Sequence, residues 1–139
     1  MKVVFDSNVW LSGLVARGLC ADLLRHALQH HGHAGFELML CAPVRDEVLR
    51  TLRDKLQATE PALDAARATM TSAREIANGT WLPPADFPDA DDAPVIAAAL
   101  AAQADLFVTG DKALLGLGAV QGLPVVAPRQ AYLRLRGLA

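Results

Sequence analysis

The sequence predicts an α/β fold: three layers, with helices on both faces of a central, mostly parallel sheet of four to five strands. Three observations carry that expectation. Short apolar runs, VVF at 3–5, LMLCA at 38–42, LFV at 106–108 and VVA at 125–127, are continuous rather than alternating, as strands buried on both faces require. The stretches between them repeat their apolar residues with the period of a helix. With 53% hydrophobic and only 5% aromatic residues, the core must be aliphatic.

Taken in order, the first run meets Asp6 and passes into SNVWLSGLV, where Trp10 faces Leu14 and Leu11 faces Val15. CADLLRHALQHH follows as a second helix, ended by Gly32 and Gly35. After the second run, PVRDEVLRTLRDKL places Val44, Val48, Leu52 and Leu56 on one stripe, with Pro43 suited to the first turn. EPALDAARATMTSAREIANG reads as one helix, its apolar face made by Leu63, Ala66, Met70, Ala73 and Ala77 and its end marked by Asn78-Gly79. The Pro- and Asp-rich segment 82–94 reads as a loop, too short to link domains. It opens the alanine-rich helix APVIAAALAAQ, and PRQAYLRLRG forms the last helix. A chain of 139 residues suits one domain, 1–139, which at this size buries roughly 70% of the surface its unfolded form exposes.

A net charge of −2 excludes a globally basic nucleic-acid surface, so any such binding must be local. Two cysteines, Cys20 and Cys41, are too few for a disulfide scaffold and are not spaced as a metal pair, which leaves them as buried thiols in a reducing compartment. Asp6 cuts the first apolar run too early for the core of a signal peptide, and no run is long enough to span a bilayer. A cytoplasmic, membrane-free protein is expected.

In open α/β sheets ligands bind beyond the carboxyl ends of the strands. Asp6 directly follows the first run, Asp46 and Glu47 lie in the first turn of the helix after the second, and Asp111 follows LFVTG. Asp89, Asp91 and Asp92 stand at the start of the helix leading into LFV. Any one of these acids alone is explained by helix capping. Together they are not, because two carboxylates ~4 Å apart repel by about 4 kcal/mol at an effective dielectric of 20. A pocket of three or four must hold protons or a cation, and Mg²⁺ or Mn²⁺ is the natural occupant. Spacing alone does not separate Asp91 from Asp92, nor Asp46 from Glu47.

VVFDSNVWLSGL, APVRDEVLRTL, DADDAPVIAAAL, ADLFVTGDKALL and GLPVVAPRQAYLRL, in this order along nearly the whole chain, resemble the PIN-domain nucleases, in particular the bacterial branch of toxin components of toxin–antitoxin systems. The resemblance implies a parallel sheet flanked by helices and an acidic pocket that holds Mg²⁺ or Mn²⁺ and hydrolyses RNA. It places the catalytic and metal-binding acids at Asp6, Glu47, Asp92 and Asp111, with Asp91 as a substitute for Asp92, and supporting polar groups at Asn8 and Thr109. It also implies a small antitoxin protein as partner and a homodimer. In this branch a second acid often lies two residues beyond the TGD aspartate; here that position is Ala113. Arg17, Arg45, Arg50 and Lys112 lie near the expected rim, and Arg45 and Lys112 are the candidates for contacting RNA phosphates.

Two other classes compete. A phospho-receiver-type signalling domain also uses a strand-end aspartate with Mg²⁺, but wants paired acids after the first strand, where this chain has only Asp6. A non-catalytic RNA- or protein-binding PIN-like module has no need of four acids. His26, His30, His31 and His33 cluster near a helix end, with His26 and His30 spaced i, i+4; with no Cys or carboxylate to complete a ligand set, they read as solvated and dipole-favoured. Trp10, Trp81 and Phe5 read as packing residues.

Overall fold

The computed structural model describes residues 1–137. Its core is a six-stranded sheet in the order β3-β2-β1-β4-β6-β5, built from β1 (Lys2–Phe5), β2 (Glu37–Cys41), β3 (Arg74–Ile76), β4 (Leu106–Val108), β5 (Ala119–Val120) and β6 (Leu123–Val126). All neighbours pair in parallel except β5, which runs antiparallel to β6 at one edge. The helices are α1 (Ser7–Val15), α2 (Leu19–His30), α3 (Ala42–Asp54), α4 (Glu60–Thr71), α5 (Ala93–Ala101), α6 (Lys112–Leu115) and α7 (Pro128–Leu135), with a 3₁₀ turn at Ala90–Asp92 before α5. No helix among the described residues is long and apolar enough to cross a membrane.

The four expected strands are present, and the α/β class with its mostly parallel sheet holds; the sheet has six strands rather than four to five. One difference lies in EPALDAARATMTSAREIANG, which is not one helix. Its helix ends at Thr71, capped through Ser72, and Arg74–Ile76 extends instead to pair with Met39–Cys41. The helical apolar face stops with Met70; Ile76 is buried as a strand residue, where its β-branched side chain fits the pleat. The second addition, β5, is only two residues, too short for periodicity to register. Leu56 also leaves its expected stripe: α3 ends at Asp54, and Leu56 is 53% exposed.

β1 is the middle of the sheet. Val3, Val4 and Phe5 are fully buried between β2 and β4, in register with Leu38 and Met39 on one side and Leu106, Phe107 and Val108 on the other. Trp10 packs edge-on to Phe5, ring centroids 6.2 Å apart, as the first helix folds back over the strand. Two glycines allow close approaches. At Gly13 a Cβ would stand 3.0 Å from Leu24, so its absence lets α1 lie tight on α2. At Gly79 a Cβ would fall 2.0 Å from the Ala97 carbonyl oxygen, so only glycine lets the 77–89 connection run directly over α5.

Candidate active site

Parallel strands deliver their carboxyl ends to one rim, and the rim acids are set there by helix starts. Asp6 follows β1 and is the N-cap of α1: its extended backbone ends the strand, and its Oδ1 accepts from Ser7 N at 2.9 Å. Asp111, after β4, caps the short α6 by accepting from the amides of Ala113 and Leu114 at 2.8 and 3.3 Å. Asp92 closes the 3₁₀ turn at the mouth of α5 and makes no capping hydrogen bond of its own. Glu47 lies on α3 beyond its first turn, not within it as the sequence suggested.

Asp6 is 4% exposed and held from several directions. Thr109, fully buried at the end of β4, donates its hydroxyl to Asp6 Oδ2 at 2.8 Å. Asn8 donates to the same oxygen at 3.2 Å and to Thr109 Oγ1 at 3.3 Å, while its own carbonyl accepts from Gly110 N at 2.8 Å. The Asp111 amide closes the set by donating to Thr109 Oγ1 at 3.1 Å. Asn8 and Thr109 thus clamp the ends of β1 and β4 together and fix one carboxylate in place.

Ser7 is the member of this cluster that sequence reasoning did not single out. Next to Asp6, which caps α1, it donates its hydroxyl to Glu47 Oε2 at 2.6 Å and, over a longer 3.5 Å, to Asp6 Oδ1. Glu47 is thereby held toward Asp6, whereas Asp46 sits 3.5 Å from the Arg45 guanidinium. The only signal in the sequence was a hydroxyl next to the first acid, indistinguishable there from capping chemistry.

Electrostatics unite the four carboxyls. Burial raises the Asp6 pKa, opposed by the hydrogen bonds from Thr109 and Ser7 and reinforced by the charges of Glu47 and Asp111. Asp92 is pushed up to about 7, first by burial and then by the charges of Asp6, Asp89, Asp111 and Glu47. Of the adjacent pair Asp91 is exposed, whereas Asp92 is half-buried and feels the charges of the other acids. Oxygen donors that repel one another in this way suit a hard divalent cation. Among the described residues, no three of these side chains yet stand close enough together to form a finished cage.

The residues expected at the periphery divide. Arg45 is ion-paired to Glu75 at 2.6 Å and to Asp46, so its charge is already matched. Lys112 is exposed in the first turn of α6, next to Asp111. Ala113, where a further acid would stand, offers only its amide to Asp111. Trp81 packs edge-on to Phe87, 5.6 Å between centroids, in the connection before Asp89.

The profile of the PIN domain matches residues 2–113, which include all four acids. The chain belongs to the PIN domain family. PIN domains are generally nucleases that use divalent metal ions and act on RNA or other nucleic acid, consistent with an acidic rim on a parallel sheet. A search of curated proteins found no individual match. In this PIN domain the matched segment ends within α6; beyond it β5 and β6 complete the sheet and α7 follows.

Proposed function

We propose that this PIN domain is an Mg²⁺- or Mn²⁺-dependent endoribonuclease, the toxin component of a toxin–antitoxin pair. The observation that carries the reading is the Asp6 carboxylate, buried and clamped by Thr109 and Asn8, with the charges of Glu47, Asp92 and Asp111 all bearing on the same rim.

Asp6, Asp92 and Asp111 would hold the cation, which supplies a lowered water pKa and neutralises charge building at the phosphate. The chain's own residues do the rest. Asp6 and Asp111 are rigid, each fixed by hydrogen bonds from the fold. Asp92, free of capping bonds, and Glu47, exposed and tethered only through Ser7, are the adjustable pair. Glu47, open to solvent, is the general base: it takes a proton from water as the water oxygen bonds to phosphorus, the ester P–O bond breaks and the leaving alkoxide recovers a proton from solvent. Asn8 and Thr109 hold Asp6 from behind. Lys112, at the rim and exposed, screens the RNA backbone on a chain whose net charge is −2.

The toxin role, a small antitoxin that covers the acidic pocket, and a homodimer follow from the resemblance to that branch. The setting is the cytoplasm, where the two free thiols stay reduced. The test is single-stranded RNA incubated with the purified chain and Mn²⁺ or Mg²⁺, against EDTA and Asp6→Asn. Cleavage that needs the metal and disappears in the variant supports the nuclease; equal cleavage by the variant overturns it. Growth arrest on expression, relieved by Asp6→Asn, tests the toxin role separately.

A further inference from the structure

We infer that the cleft between Trp81, Phe87 and the β5 edge is a nucleobase-binding subsite, which seats one base of the single-stranded RNA beside the bond to be cut. The inference rests on the nuclease reading for the identity of the strand, and deepens it by saying how that strand is gripped. The cavity holds about 250 Å³. It is walled by Trp81 and Phe87 from the connection before α5 and by Leu117 and Val120 from the segment after α6, with Asp86 and Gln121 also in its lining. Pockets for whole small molecules run from about 300 to 1,000 Å³, so this one has room for a single ring system.

Its place in the chain ties it to the acid rim. Phe87, in a turn closed by its amide on the Pro84 carbonyl at 3.1 Å, stands two residues before Asp89, which opens the 3₁₀ turn that carries Asp92. Leu117 donates its amide to the Leu114 carbonyl at 3.0 Å and so sits at the foot of α6, a helix of four residues that Asp111 caps and that rises only about 6 Å. Both walls therefore lead within six residues to an acid that would hold the cation. Exposed Lys112, on the same short helix, lies in sequence between Asp111 and the cavity, where it screens the phosphate whose base turns into the cleft.

The lining itself selects a base. Trp81 and Phe87 meet edge to face, yet both stay half-buried and border open space. An interior aromatic pair would have its faces covered, since packed cores leave few voids larger than a water. Every base has a π-face, so such rings stack on one without regard to its identity. No cation lines the cavity, and the Asp86 carboxylate there repels phosphate, which leaves the uncharged part of the nucleotide as the part that enters. Gln121 offers an amide that both donates and accepts, as a base edge requires. It stands with Gly122 in the two-residue turn between β5 and β6 at φ 52°, a conformation that glycine or asparagine takes at less cost. The larger cavity of about 660 Å³ between α1, α3 and α4 has neither an aromatic nor a charged residue in its lining, and gives a base nothing to stack on.

The probe is a short single-stranded RNA of mixed sequence, titrated in Mg²⁺ into full-length Asp6→Asn, which leaves the strand uncut, with tryptophan emission as the readout. Trp10, the other tryptophan, is fully buried in the core, so quenching reports on Trp81. The expected result is quenching at saturation, abolished in Trp81→Phe, which keeps the affinity. Replacing the nucleotides one at a time by abasic ones should, at one position, remove the quenching and weaken binding about 10-fold, the scale of one lost stacked base. Trp81→Ala should cost the same with an unchanged salt slope, because no phosphate contact is lost; if that variant melts early, the abasic series on the intact cleft decides. No quenching by the RNA, quenching that survives in Trp81→Phe, or an affinity indifferent to every abasic position overturns the subsite. Cleavage by the parent chain with Mn²⁺ tests the nuclease reading separately: cleavage without quenching sinks the subsite alone, whereas quenching without cleavage sinks the nuclease and leaves a base-binding cleft.

Discussion

Ser7 and Glu47, 40 residues apart in sequence, are joined by a 2.6 Å hydrogen bond from the serine hydroxyl to Glu47 Oε2. The bond ties the exposed acid of α3 to the cap of α1. Ser7→Ala frees Glu47 and takes from Asp6 only a long 3.5 Å contact, while its bonds to Thr109, Asn8 and the residue 7 amide persist. RNA cleavage should fall by about 10-fold, in the range typical of outer-sphere partners, while the melting temperature changes little. Steady-state cleavage beside a thermal melt checks both; full activity would remove Ser7 from the site.

Thr109→Val keeps the shape of a buried side chain but deletes a hydroxyl with three partners, Asp6, Asn8 and the Asp111 amide. Leaving such groups unpaired costs about 1 to 3 kcal/mol. The expected outcome is a clear loss of stability together with lost cleavage, and Thr109→Ser should restore most of both. Chemical denaturation of the three proteins gives the comparison.

The pH dependence follows from Asp92. Its folded pKa is raised to about 7 from an ordinary 3.8, so the folded state holds a proton that the unfolded state has released. The contribution to stability is complete below about pH 4 and is lost as the pH rises toward 7. Metal-free protein in EDTA should therefore melt lower at pH 7.5 than at pH 5, and Asp92→Asn should flatten that slope. Mn²⁺ competes with the same proton, so its affinity should climb over this interval and level off above it. An Mn²⁺ affinity independent of pH from 5 to 8 would contradict Asp92 as a ligand.

Gly79→Ala puts a methyl group 2.0 Å from the Ala97 carbonyl oxygen, and a helix backbone cannot yield as a side chain does. Overpacking of this kind costs about 1 to 3 kcal/mol, a drop of roughly 3 to 10 °C in melting temperature. Because the displaced helix is the one that Asp92 opens, cleavage should fall with it. A melt indistinguishable from the parent chain would refute the tight crossing.

The parallel core was legible because its strands are buried on both faces, and burial leaves an unbroken apolar run: Val3–Phe5 and Leu106–Val108 are both strand and fully buried. Arg74–Ile76 was not, because two of its three residues are exposed and charged, and its pairing with β2 outweighs a local pattern that continued the helix before it. Of the site, the acids could be located by what precedes them in sequence. Their side-chain partners could not: the links from Asn8 and Asp6 to Thr109 and from Ser7 to Glu47 join distant segments, and spacing carries no record of them.

The bond between Thr109 and Asp6 spans 103 residues of sequence, and β1, made first, has β4 as one of its two neighbours in the sheet. The contact that fixes the first acid therefore needs the strand that precedes the last one. A chain cut short before residue 109 carries Asp6, Glu47 and Asp92 yet has neither the strand nor the hydroxyl that assembles them. Long-range closure of this kind is slow to form, so a chain lacking residue 109 keeps most of its acids but not the hydroxyl that fixes the buried one.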